Sequence, residues 1–231
     1  MATYVLVHGS YQGGWIWKAT AQKLRRAGHD VHVPTLDGCA ERASNLRQGI
    51  TITSQATEVS GMLFYEDLRD VILVGTSTGG LVICKVADLA RERIKHVVFV
   101  DALAPQPGER VDDIVVRDPN FPQVTTDLTR GPSKEDLDNR LFKDLQPRLR
   151  AWAIDRVTMH PIEASDAPGE LDGFWSQDWS ATVIRCRLSA NPSEEHQRRT
   201  AEKLGANWYE LDSGHYPMLS HPAELTRILV S

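Results

Sequence analysis

Gly75-Thr76-Ser77-Thr78-Gly79 follows directly on the apolar run Val71-Ile72-Leu73-Val74. This is the G-x-S-x-G pattern, and the chemistry it serves is nucleophilic attack on a carbonyl carbon. A serine on a sharp strand-to-helix turn has its Oγ exposed above the sheet, and the next backbone N–H faces the incoming carbonyl. Small neighbours are needed, because bulk on either side of the serine would collide with the strand or the helix. A glycine-rich turn whose serine merely caps the helix is the bland alternative. The apolar run before and the helical pattern after favour the nucleophile.

Acyl transfer through Ser77 needs an oxyanion hole and a base. "HGSYQGGW" at 8–15 ends an apolar run and leads into a helix. Its Ser10 amide, with that of Thr78, makes a candidate oxyanion hole; losing one such donor costs about 10²–10³ in rate. A phosphate loop is the rival reading, but neither G-x-G-x-x-G nor G-x-x-x-x-G-K-[ST] is present. The base should be a histidine late in the chain. His215 in "LDSGHYPMLSHP" follows the last strand-like run. His221 reads as a helix-start residue, His29, His32 and His96 as structural residues in or beside strands, and His160 and His196 lack supporting context.

These residues must be carried by elements that meet at one edge. Short β-branched runs at 3–8, 30–34, 70–75, 96–101, 182–188 and 207–211 read as strands. Several are apolar on consecutive positions, as parallel strands covered on both faces require. Helical patterns lie between them at 15–27, 54–65, 79–93, 194–204 and 222–229. The alternation predicts an α/β fold with a mainly parallel central sheet flanked by helices. Residues 105–180 break the rhythm: they are proline-rich and charged, with no clear strand. We read 1–104 and 181–231 as the core and 105–180 as a small helical cap inserted between two sheet strands. Its aromatic residues, Trp152 and Trp175 among them, would line a pocket beneath a lid or anchor a satellite core. With Tyr11 and Tyr216 they are the candidate substrate contacts.

Composition narrows the partners. The net charge is −5, from 31 acids and 26 bases, against the basic surface that nucleic acid or an anionic membrane rewards. No apolar run is long enough to span a bilayer, and the N-terminal run reads as a buried strand rather than a secretion signal. Cys39, Cys84 and Cys186 are odd in number and far apart, which suggests free thiols in a reducing compartment and a cytoplasmic protein. No HExxH, paired C-x-x-C or His-x-His cluster calls for a metal, and the chemistry needs no cofactor. A homodimer is compatible with the sequence, which does not specify one.

"YVLVHGSYQGGWIW", "GTSTGG" and "GHYPMLSHPAEL" resemble the α/β-hydrolase family, in the branch of plant methyl-ester esterases, hydroxynitrile lyases and bacterial pyrethroid-type esterases. The likeness covers roughly 3–110 and 182–230. It implies a serine esterase with a triad, and two departures qualify it. Ser189 stands where the branch places its acid, so Asp101, at the end of the strand after the nucleophile's, is the expected replacement. Glu194 and Glu195 are reserves, and Asp212 lies too close to His215 in sequence. Lyases of the branch have a threonine and a lysine where this chain has Gly9 and Tyr216, so hydrolysis is expected. The substrate would be a small to medium, partly apolar ester, carbamate or lactone. Ser189 keeps one alternative open: a small-molecule binding protein with weak or no turnover.

Overall fold

The computed structural model describes residues 1–168 and 170–231. Among the described residues nine strands run in chain order: β1 (Thr3–Val7), β2 (Asp30–His32), β3 (Val71–Ser77), β4 (Ile94–Ala102), β5 (Val124–Thr125), β6 (Thr129–Gly131), β7 (His160–Pro161), β8 (Ala181–Cys186) and β9 (Asn207–Leu211). The main helices are α1 (Lys18–Arg26), α2 (Ile52–Tyr65), α3 (Gly79–Leu89), α4 (Val111–Ile114), α5 (Lys134–Asp136), α6 (Pro147–Ile154), α7 (Asp172–Trp175), α8 (Glu194–Leu204), α9 (Pro217–Ser220) and α10 (Pro222–Leu229).

Six strands form one parallel sheet in the order β2-β1-β3-β4-β8-β9. Successive strand residues alternate between two apolar cores. Val5, Val7, Leu73, Val97 and Phe99 join α2 and α3 on one face. Tyr4, Leu6, Val74, Val98 and Val100 join α1 and α10 on the other. Covering both faces explains why these strands are apolar throughout. The chain leaves β1 toward β2 on one side, while β3 lies on the other. That switch point opens a crevice at the carboxyl ends of β1 and β3, the usual ligand position in such sheets.

The segment between β4 and β8 is not purely helical. β5, β6 and β7 pair antiparallel. Strands of two or three residues are too short to show a period of two, and β7 lies far along the chain from β6. Hence the sequence shows no strand there.

Three histidines are buried inside the molecule. His8 accepts the Leu36 N–H on Nε2 (2.9 Å), and its Nδ1 meets the Gly9 carbonyl (2.8 Å). His196 Nε2 accepts the Ala104 N–H at 3.0 Å. His160 Nε2 lies 3.2 Å from the Ala164 carbonyl. Burial pushes them down from 6.5, to about 4 for His8, about 4 for His196 and about 3 for His160. A depressed histidine binds its proton more readily in the unfolded chain, so its contribution is complete above pH 6.5 and declines below it. Between pH 6.5 and 5 each withdraws on the order of 2 kcal/mol. The urea midpoint is expected to fall clearly from pH 7.5 to pH 5; an unchanged midpoint would show that these histidines remain solvated.

Candidate active site

Ser77 ends β3 with φ of 53°, a left-handed conformation that non-glycine residues seldom adopt. The sharp turn brings α3 against the end of β1. A Cβ on Gly79 would lie 2.6 Å from the His8 carbonyl oxygen, so only glycine allows the helix this close. Gly9 is constrained in the same way: a Cβ there would lie 2.5 Å from Ser77 Cβ. The His8 hydrogen bonds pin this loop from behind. Ser10 and Thr78 face each other across the crevice, their hydroxyls 2.9 Å apart. This clasp joins the two residues whose amides were expected to form the oxyanion hole, and it gives the Thr78 side chain a role.

His215 follows β9 and reaches the same edge. Its Nδ1 lies 2.6 Å from Asp101 Oδ2. The backbone explains how Asp101 gets there. Thr76 pairs with Val100 and Ser77 with Ala102, so Asp101 is the extra residue of a bulge in β4, with φ of 45°. Bulges re-aim a side chain beside active sites. The carboxylate is wholly buried, and its Oδ1 accepts from the Cys186 N–H (3.2 Å) and from Gln197 Nε2 (2.9 Å). A buried carboxylate so supplied with donors stays paired and oriented. Ser189 Oγ also stands 3.5 Å from Nδ1, at hydrogen-bond limit, while donating to the Asn191 carbonyl (2.9 Å). With Nδ1–H committed to Asp101, Nε2 carries the lone pair. Among the described residues Ser77 Oγ makes no direct hydrogen bond with His215; such contacts commonly tighten only with substrate in place.

Ser10, Tyr11, Ser77, Thr78, His215 and Tyr216 all border one cavity of about 450 Å³. Burial raises the phenols of Tyr11 and Tyr216, so both are neutral donors. Tyr216 packs on Phe142, ring centroids 4.8 Å apart, and edge-on to His215 at 4.9 Å.

A model of the alpha/beta hydrolase family matches residues 4–228. The chain belongs to the α/β-hydrolase family. It is 44% identical to the carbendazim hydrolyzing esterase of Nocardioides sp. (strain SG-4G), covering 100% of this chain and 99% of that protein. Methylesterase 7 of Arabidopsis thaliana is 26% identical, over 98% of this chain and 94% of its own. An extracellular α/β-hydrolase from a Paenibacillus species superposes with a TM-score of 0.82 at 22% identity, covering 100% and 98% of the two chains. With full-length relatives named as esterases, this hydrolase is a carboxylic ester hydrolase.

Two expected substrate contacts of the hydrolase lie elsewhere. Trp152 packs edge-on against Trp15 (5.4 Å) and borders a separate surface cavity with Leu149 and Leu219. The Trp175 indole N–H donates to the Pro105 carbonyl at 2.6 Å, and its ring meets Phe174 at 5.2 Å. Phe174 and Trp179 stack within the main core. Neither Trp152 nor Trp175 borders the cavity of Ser77 and His215; both pack on neighbouring aromatic rings instead. Glu194 pairs with Arg185 and Arg198, and Asp212 with Arg187; among the described residues neither makes a hydrogen bond or ion pair with His215.

Some residues that build the site carry no signature in the sequence. Gln197, on α8, fixes Asp101, and Gln12 accepts the Gly9 N–H at 3.3 Å. Amide side chains on a helix and in a loop look like ordinary surface residues. The three cysteines are free and buried, and burial raises their thiols, to about 12 for Cys39. No helix among the described residues is long and apolar enough to cross a membrane.

Proposed function

We propose that the protein is a serine hydrolase that cleaves small to medium, partly apolar carboxylic esters and carbamates through an acyl-enzyme on Ser77. The observation that carries this reading is the 2.6 Å contact between His215 Nδ1 and buried Asp101, with His215 and Ser77 bordering one cavity. Asp101 holds the tautomer in which Nε2 is basic. Nε2 takes the proton as Ser77 Oγ bonds to the carbonyl carbon, and the negative charge passes to the carbonyl oxygen. The amides of Ser10 and Thr78 receive that charge. The imidazolium then protonates the leaving alcohol as its C–O bond breaks. Water, deprotonated by the same nitrogen, releases the acid and restores Ser77.

Gly9 and Tyr216 support hydrolysis over cyanide elimination. No side chain crowds the loop at Gly9, and the neutral Tyr216 phenol supplies no cation for a cyanide leaving group. The relative named for hydrolysing carbendazim supports carbamates as substrates. The binding-protein alternative rests on Ser189, and the carboxylate beside His215 supports turnover over binding alone.

Diethyl 4-nitrophenyl phosphate tests the nucleophile. Ser77 Oγ is expected to displace 4-nitrophenolate, leaving one diethylphosphoryl group on the peptide bearing Ser77 as activity disappears. A stoichiometric adduct elsewhere, or full activity in the labelled protein, would overturn the assignment.

A further inference from the structure

Four cations border the cavity, Arg117, Arg130, Arg140 and Lys143, together with one carboxylate, Asp144. Most of this charge is already answered. Both oxygens of Asp136 hold Arg140, at 2.5 and 2.7 Å, and Arg117 pairs with Asp112. Lys143 and Asp144 are exposed, where water screens their charges. Arg130 is different. It lies on β6, buried at 8% exposure. Its Nε–H donates to Ser165 Oγ (2.6 Å) and its Nη1 to Gln123 Oε1 (3.3 Å). Both acceptors are uncharged, and among the described residues no carboxylate lies within ion-pair distance of the guanidinium.

An arginine does not shed its proton in proteins, and a buried charge without a counter-charge is strongly unfavourable. Tying β6 to Ser165 does not require that charge, since a neutral amide side chain could donate there. The guanidinium keeps further N–H groups beyond these two bonds, in the planar fork that suits a carboxylate. A second donor stands nearby. Gln123 Nε2 donates to Tyr11 Oη at 2.7 Å. The Tyr11 hydroxyl proton then has no protein acceptor among the described residues, and Tyr11 borders the same cavity.

We propose that Arg130 and Tyr11 form an anion subsite, so that the preferred substrates are esters bearing a carboxylate remote from the scissile carbonyl. This deepens the serine-hydrolase reading and rests on it. A charge-assisted hydrogen bond of this kind corresponds to a preference on the order of tenfold or more.

The test compares mono-4-nitrophenyl glutarate with 4-nitrophenyl pentanoate, which differ mainly in a terminal carboxylate against a methyl group. The ratio of their kcat/KM values is expected to be about tenfold or higher in the wild type. It should fall to about one in Arg130→Met and stay above one in Arg130→Lys. Arg130→Gln, which keeps a donor for Ser165, serves if Arg130→Met loses its near-UV circular dichroism. A wild-type ratio at or below one, or a ratio unchanged in a folded Arg130→Met or Arg130→Gln protein, overturns the proposal.

Binding to Ser77→Ala separates this from failure of the catalytic reading. Monomethyl glutarate should bind more tightly than dimethyl glutarate, and Arg130→Met should remove the difference. If neither nitrophenyl ester turns over but this preference stands, hydrolysis fails and the anion subsite stands. If both esters turn over with no preference for the anion, the subsite fails and hydrolysis stands.

Discussion

Ser77→Ala is expected to lower kcat on 4-nitrophenyl esters by about four orders of magnitude or more, with KM little changed. The substitution removes the atom that forms the acyl bond, while the amides of Ser10 and Thr78 and the cavity walls stay in place. Residual rate would come from those groups alone. Alanine is smaller than serine at a crowded turn, so folding should survive; the strained backbone at φ of 53° is set by packing of α3 against β1. Initial rates from acetate to octanoate, wild type and variant side by side, provide the check. The chain-length optimum would also gauge how much of the 450 Å³ cavity the acyl group fills. A variant retaining more than about 1% of the wild-type rate would remove Ser77 from the mechanism.

Asp101→Asn is expected to cost about 10³–10⁴ in kcat while leaving the fold intact. Oδ1 accepts from the Cys186 N–H and from Gln197, so the asparagine carbonyl takes that position. The amide NH₂ is then turned toward His215 Nδ1. Two donors cannot face each other, so Nδ1 gives up its proton and Nε2 carries it. The imidazole is then in the wrong tautomer to receive a proton from Ser77. Near-UV circular dichroism and KM should stay close to wild type, which separates lost catalysis from lost structure. Because Ser189 Oγ already stands 3.5 Å from Nδ1, adding Ser189→Asp to Asp101→Asn should restore part of the rate. Activity within tenfold of wild type in Asp101→Asn would reduce Asp101 to a structural residue.

Most of the architecture was legible because it depends on local sterics and periodicity. The strand runs become the six sheet strands, with ends moved by a residue or two, and 194–204, 207–211 and 222–229 coincide with α8, β9 and α10. The predicted helix at 79–93 divides into α3 and a short 3-10 turn, Arg91–Arg93. The inserted segment was less legible. Its paired strands are too short for a pattern, and its tryptophans are equally suited by type to a pocket or a core.

The sequence by itself determined a parallel sheet covered on both faces, a serine on a glycine-flanked bend, and a histidine after the last strand. Each follows from which residues a strand, a bend or a helix start will accept, and those constraints act between near neighbours. Only the tertiary structure decided how distant side chains face one another. The bulge at Asp101 turns a strand residue toward His215 from more than a hundred positions away. Trp152 and Trp175 meet Trp15 and Phe174 instead of the cavity. Arg130 is brought to the cavity with no carboxylate in ion-pair distance among the described residues. Residue type limits what a side chain can do, but backbone register and packing set where it points.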